Sequence, residues 1–248
     1  MRYFLLLSYH GGAYAGWQRQ LNASTVQETL EKALTTLLRR PTEITGCGRT
    51  DTGVHARNYV AHFDGPDEPM PATFLRSFNS MLPFDIAVYE VQAMHPEAHA
   101  RFDAVERSYT YRISTRKDPF TRDTAWAAPR AGELDLNAMQ AVADLLPQYD
   151  AFAPFCKTGS DAKHFRCKLT EAYWETDPQN HLILFHITAN RFLRGMVRLI
   201  VGACVLAGQG QVTPEHVRDA LEAQTPLKGS LSVPAHGLFF EGAKYGSV

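Results

Sequence analysis

The densest chemistry in this 248-residue chain lies in eleven consecutive residues, Gly46-Cys47-Gly48-Arg49-Thr50-Asp51-Thr52-Gly53-Val54-His55-Ala56. Glycines at 46, 48 and 53 let the backbone turn tightly and approach a neighbour closely. They bracket one carboxylate, Asp51, between two threonines, with the guanidinium of Arg49 two residues away. A glycine-bracketed aspartate is commonly a turn residue that bonds its own backbone. What lifts this one above that reading is the crowding of costly chemistry into so short a stretch. A guanidinium nearby favours the ionised form of a carboxyl group, and an ionised carboxylate can act as a nucleophile.

Asp51-Thr52-Gly53 is also the tripeptide of aspartic proteases, which use two such loops. This chain has one, and it follows Gly-Arg-Thr rather than an apolar strand, so peptide cleavage is the weak alternative. Gly11-Gly12-Ala13-Tyr14-Ala15-Gly16 is glycine-rich but matches neither G-x-G-x-x-G nor a phosphate loop with its lysine and hydroxyl. His95 and His99 flank a proline and do not form H-E-x-x-H. Neither a nucleotide cofactor nor a metal is indicated.

Two further groups carry chemistry. In Arg107-Ser108-Tyr109-Thr110-Tyr111, strand alternation puts Arg107, Tyr109 and Tyr111 on one face. Such a row serves sheet packing by default, and it can also offer a ring to a nucleobase, where stacking is worth roughly 1–3 kcal/mol. Arg191, Arg194 and Arg198 follow i, i+3, i+7 spacing within an otherwise apolar stretch. On a helix they would form either a solvated face or a stripe that grips phosphate or pairs with an acid.

The elements that must position these groups can be read from pattern. Residues 2–9 alternate as a strand and end at His10-Gly11-Gly12, a turn. Ser24-x-x-Gln27 and Thr25-x-x-Glu28 are overlapping capping boxes. They open a helix with Val26, Leu30, Ala33, Leu34, Leu37 and Leu38 on one stripe. Strands are predicted at 58–64 and 85–91 with a helix near 71–82 between them. The second half has strands at 106–114, 168–176 and 181–189 and a long buried helix near 190–207. Another helix starts at Thr213-Pro214, and a last strand follows Pro234. The segment 115–134 is turn-rich. These patterns predict an α+β protein of two similar halves, 1–104 and 105–248.

Hydrophobic residues make up 45% and charged residues 21%, the balance of a soluble globular chain, which excludes disorder. Twenty-five basic residues oppose 26 acids for a net charge of −1, which excludes a polybasic protein acting through bulk charge. The distribution is uneven. Residues 1–57 carry seven basic and four acidic groups, 58–100 carry one and six, and 156–198 carry seven and four. Cys47, Cys156, Cys167 and Cys204 are far apart with no C-x-x-C pair, as expected of reduced thiols in a cytoplasmic protein. The N-terminal apolar run alternates and lacks a small-residue cleavage site, so no signal peptide is expected. The apolar stretch 192–207 is broken by Arg194 and Arg198, so no membrane span is expected either.

Taken together, these segments resemble the tRNA pseudouridine synthase A family almost end to end. Tyr9-His10-Gly11-Gly12 through Gly16-Trp17-Gln18-Arg19-Gln20 and Thr25-Val26-Gln27 look like its N-terminal motif, and residues 48–56, GRTDTGVHA, are similar to its active-site loop. His99 to Ala104 with Arg107 to Tyr111, Asn190 to Arg198, and Pro234-Ala235-His236-Gly237-Leu238 resemble three later blocks. The resemblance implies a pseudouridine synthase fold, two ferredoxin-like halves joined in a mixed, mainly antiparallel sheet with helices packed on it. It implies Asp51 as nucleophile, Tyr109 stacked on the target uracil, Arg198 paired with Asp51, and Arg49 holding the flipped nucleotide out. Arg107, Arg191 and Arg194 are the further candidates for contacts to substrate. The implied reaction converts uridine to pseudouridine at tRNA positions 38, 39 and 40 in the anticodon stem-loop. It needs no cofactor, and a homodimer with tRNA across both subunits is implied. Attack by Asp51 at C1′ and addition at C6 of uracil both fit the residues. A tRNA-binding protein that has lost catalysis is the other reading, and its mark would be loss of the aspartate. Thr52 stands where the family more often has alanine, and Arg194-Gly195 also departs from the family pattern.

Overall fold

The computed structural model describes residues 1–128, 130–159 and 162–246, so Pro129 of the turn-rich segment lies outside the described residues. The chain divides into two compact units, Met1–Arg107 with Phe239–Val248, and Ser108–Leu238. A boundary at 104/105 leaves the last strand in the second half. In the structure that strand, β8 (Leu238–Tyr245), clusters with the first unit, because Phe239 and Phe240 pair in parallel with His55 and Ala56.

The first unit runs β1 (Arg2–Tyr9), α1 (Val26–Leu38), β2 (Ile44–Gly46), β3 (His55–Asp64), α2 (Phe74–Met81) and β4 (Ile86–Met94). The antiparallel order β4-β1-β3-β2 is the ferredoxin-like arrangement. One edge of β3 is shared, with β2 on residues 61–63 and β8 on 55–56. The expected alternation holds along β1, where Tyr3, Leu5, Leu7 and Tyr9 are buried and the residues between them are not. Thr25 rather than Ser24 caps α1, its hydroxyl accepting from Glu28 N at 3.3 Å. The buried stripe of α1 is Val26, Leu30, Ala33 and Leu34. Burying a residue such as Leu30 or Leu34 contributes about 1.5–3 kcal/mol. Phe63, Phe74 and Phe78 extend this core.

The second unit holds most of β5 (Ala104–Ser114), then α3 (Leu136–Leu145), β6 (Leu169–Asp177), β7 (Leu182–Ala189), α4 (Met196–Gly208) and α5 (Pro214–Ala223). Strand order is β5-β7-β6, and α3 packs on β6, α4 and α5. The sequence pattern above does not predict α3. Its sign is Asp135, whose carboxylate accepts from Asn137 N and Ala138 N ahead of the buried Met139, Val142 and Ala143. Thr213 and Pro214 open α5 as expected. Among the described residues, no helix is long and apolar enough to cross a membrane.

A long helix from 190 is corrected. Gly195, at φ 69°, breaks the backbone, and α4 begins at Met196. Arg191 and Arg194 therefore lie in the turn after β7, and of the three arginines only Arg198 is helical. The chain leaving β7 must reverse before it can start a helix, and a left-handed glycine supplies the break.

His62 in β3 links this fold to pH. Its Nδ1 accepts from Ala100 N at 3.1 Å, and it is only 5% exposed. Burial, with Arg2 and His99 nearby, pushes it down to about 4. The unfolded chain then binds a proton from pH ~6.5 downward that the fold refuses until about 4. Stability from this group is complete above pH ~6.5 and is lost as pH falls toward 4. Urea titrations at pH 7 and 4.5 should differ by about 2–3 kcal/mol more in wild type than in His62→Asn. Parallel losses in the two proteins would acquit His62.

Candidate active site

The loop between β2 and β3 is irregular, so its backbone groups must find partners outside the sheet ladder. Cys47 N donates to Val60 O at 2.8 Å and continues the edge pairing by one residue. The Tyr59 hydroxyl donates to Gly48 O. Thr50 O accepts from Trp17 N at 3.2 Å, and the Thr50 hydroxyl bonds Tyr9 Oη at 2.9 Å. Gly53 N donates to Tyr14 O at 3.3 Å. Asp51 itself opens a tight turn in which Val54 N donates to Asp51 O at 3.2 Å and Gly53 takes φ 80°. That is the third-position glycine that a type II turn requires. Asp51 is half-buried at this turn, Thr50 behind it is buried, and Arg49 and Thr52 beside it are exposed.

The glycine-rich motif after β1 is the mould for this loop. Gly16, at φ 92°, stands so close that a Cβ there would lie 2.4 Å from Thr50 O. The Tyr14 hydroxyl donates to Asp85 Oδ1 at 2.6 Å, and burial with Asp85 pushes its phenol far up, so it stays a donor. Gly11 N donates to His55 Nδ1 at 3.1 Å, and the His55 ring packs against Phe239. The motif is anchored in turn to α1. Glu31, buried on α1, accepts from Ile44 N at 3.0 Å, from Gln27 Nε2 at 3.1 Å and from Arg19. A buried carboxylate requires such partners, and through them it fixes the start of β2.

Arg107 holds the base of the loop. Its guanidinium donates to Cys47 O at 3.0 and 3.2 Å, to Ala104 O at 2.9 Å and to Arg101 O at 2.6 Å. These are contacts to the protein's own backbone, so the structure places Arg107 under the loop. Burial pushes the Cys47 thiol up to about 12, so at neutral pH it stays protonated. Within residues 46–56, Asp51 is the sole carboxylate.

The second unit holds Tyr109, Arg191, Arg194 and Arg198. Tyr109 is half-buried, with its ring 5.1 Å from Phe192 and edge-on at 87°. Tyr111 is fully buried and donates to Pro234 O at 2.8 Å. The two tyrosines thus differ, one partly open and one built into the core. Arg198 Nε donates to Val233 O at 2.7 Å. Arg194 Nη1 donates to Gly159 O at 3.3 Å, and Arg191 Nη1 lies 2.9 and 3.1 Å from the two ring nitrogens of His164.

In the first unit the structure brings Asp51, Arg49 and Arg107 to one loop and its base. In the second, Arg191 and Arg194 share one turn ahead of α4. Sequence reasoning missed Tyr14, Glu31, His55 and Tyr59 as parts of the site's support. Glu31 had a signal, a carboxylate one turn after Gln27 and next to the apolar stripe. Tyr59 had none, because only the fold brings its hydroxyl to Gly48.

A family model described as tRNA pseudouridine synthase matches residues 150–246. The chain is also 43% identical to the tRNA pseudouridine synthase A of Porphyromonas gingivalis, over 99% of this chain and 98% of that one. Against that of Bacteroides thetaiotaomicron it is 43% identical over 98% and 90%. The family model leaves out the Asp51 loop, whereas the relatives span it.

The mould predicts opposite outcomes at two glycines. Gly16→Ala should cost about 1–3 kcal/mol in urea denaturation, through positive φ and the clash with Thr50 O. Gly48→Ala, where a Cβ meets nothing within 4 Å, should stay within about 0.5 kcal/mol of wild type. Equal losses would place the loop's rigidity elsewhere.

Proposed function

The chain belongs to the tRNA pseudouridine synthase A family, and from that premise we propose that it isomerises uridine at tRNA positions 38, 39 and 40, with Asp51 as nucleophile. Pseudouridine formation on tRNA is the activity of the family. The observation that carries the finer reading is the Asp51 turn, a half-buried carboxylate on a loop whose backbone is bonded at Cys47 N, Cys47 O, Gly48 O, Thr50 O and Gly53 N. A pre-positioned nucleophile of this kind converts binding into attack without waiting for a loop to order.

The reaction breaks the N1–C1′ bond, turns the base, and joins C5 to C1′, after which the C5 hydrogen leaves to water as a proton and N1 takes up a proton in exchange. Asp51 bonds to the uridine and is released unchanged, so atoms and electrons balance within one substrate. The target must leave the stack, at a cost of a few kcal/mol. Stacking on Tyr109 offsets part of this, at about 1–3 kcal/mol per base. Arg198 is the proposed cation paired with Asp51, and Arg49, exposed next to Asp51, is proposed to hold the flipped nucleotide out. Arg191 and Arg194 are proposed contacts to RNA phosphate. Arg107 serves this site by holding Cys47 O, and any contact of its own to substrate would be additional. The enzyme is proposed to act as a cytoplasmic homodimer.

Two experiments check the reading. With tRNA carrying tritium at uridine C5, wild type should release tritium to water, and Asp51→Ala should release none while keeping tRNA affinity. Release at the wild-type rate by Asp51→Ala would end the nucleophile assignment. Separately, Tyr109→Leu should lose turnover with little change in melting temperature. Tyr111→Phe, which leaves Pro234 O unpaired, should lose about 1–3 kcal/mol of stability but keep turnover per folded molecule. If both variants keep full turnover, Tyr109 is packing only.

A further inference from the structure

The second unit carries a cleft of about 790 Å³ that none of these roles uses fully. Its lining includes Arg166, Lys168 and Arg191, three cations from the segments that enter β6 and leave β7 at the open end of that hairpin. The opposite lining is residues 147–151 and the end of α5. Among the described residues, Arg166 and Lys168 make no ion pair with any acid. The two acids in the lining are Asp150 and Glu222, and Glu222 accepts from the Tyr149 hydroxyl at 3.3 Å.

The backbone under the cations is fixed. Lys168 N donates to Asn190 Oδ1 at 2.8 Å, and Asn190 N donates back to Lys168 O at 3.1 Å. Cys167 N donates to Asp150 O at 2.9 Å, and Phe152 N to Phe165 O at 3.0 Å, which ties the two sides of the cleft together. Arg191 is braced by the His164 ring. Three positive groups on a braced backbone, opening into a trench, form a preorganised anion site with a low ordering cost. Arginine next to lysine suits phosphodiester oxygens, the first by its planar fork and the second as a point charge.

The geometry points to this cleft as a second RNA contact, one that grips the phosphodiester backbone rather than the uridine being isomerised. This rests on the proposed tRNA substrate. Arg166 and Lys168 touch phosphate only, so they add affinity and orientation and take no part in bond making.

The test is equilibrium binding of a tRNA transcript from about 50 to about 300 mM KCl, by wild type and by Arg166→Ala with Lys168→Ala. The slope of log Kd against log salt should fall by about 0.7–0.9 for each cation removed. KM should rise with it, and turnover at saturating tRNA should stay at the wild-type value. Arg166→Lys should restore that share of the slope, which a merely structural role would not predict. Lys32→Ala with Arg122→Ala, exposed cations elsewhere, should leave slope and KM unchanged. If the double variant is unstable, Lys168→Gln alone gives the same reading at one contact. Unchanged slope and KM in the cleft variants would overturn the proposal, as would an equal loss in the control, which would mean bulk charge. Wild type that binds tRNA and releases tritium keeps the parent reading intact in either case. Wild type that does neither removes both.

Discussion

An irregular loop can hold a carboxylate still only if its backbone polar groups are bonded, and this constraint organises the first unit. Each partner comes from a different place in the chain. Arg107 takes Cys47 O, Tyr59 takes Gly48 O, Trp17 N takes Thr50 O, and Tyr14 O takes Gly53 N. A missing partner would leave a polar group half-buried without compensation, at about 1–3 kcal/mol. The motif between β1 and α1 follows from this. It needs Gly16 for approach, Trp17 for its N–H and ring, and Tyr14 to link the loop to Asp85 at the start of β4. The ferredoxin-like order then matters for one reason. It sets β1 beside β3, so the segment that leaves β1 passes the loop that enters β3.

The second unit solves a different problem, how to present cations from a largely apolar stretch. A continuous helix from 190 would have extended three arginines along a helix that is otherwise nearly all apolar and buried, where charge is costly. Gly195 ends that possibility, and the chain turns instead. Arg191 and Arg194 gain backbone and imidazole partners in the turn, and Arg198 rests one nitrogen on Val233 O at the start of α4. The remainder of α4 is then free to be nearly all buried.

Much of this was legible in the sequence, and the boundary between what was and was not is physical. Strands β1, β6 and β7 and helices α1 and α5 announce themselves by alternation, stripe and cap, which are local properties. Asp51 stood out because its neighbours are costly in any other role. The role of Arg107 was not legible. Alternation gives the face of a strand residue but not what that face meets, and a guanidinium that faces three carbonyls looks the same in sequence as one that faces solvent. The start of α4 was misread because helical spacing of three arginines is satisfied equally by a turn and a helix. Only the φ of Gly195 decides between them.

The net charge of −1 follows the same logic of position over composition. Acids at 58–100 include Asp64 on Arg2 and Asp85 on Tyr14, and both are spent on structure. The basic excess at 156–198 includes Arg166 and Lys168, which have no such duty among the described residues. A sum over the chain cancels the two sets, but a polyanion does not meet the sum. It meets those cations whose charge is not already neutralised by a bonded neighbour, and within a few ångströms the attraction outweighs the screened charge of distant acids. For this fold, affinity for RNA should therefore track which basic groups are not neutralised by a neighbouring acid, and a near-neutral chain loses nothing by being so.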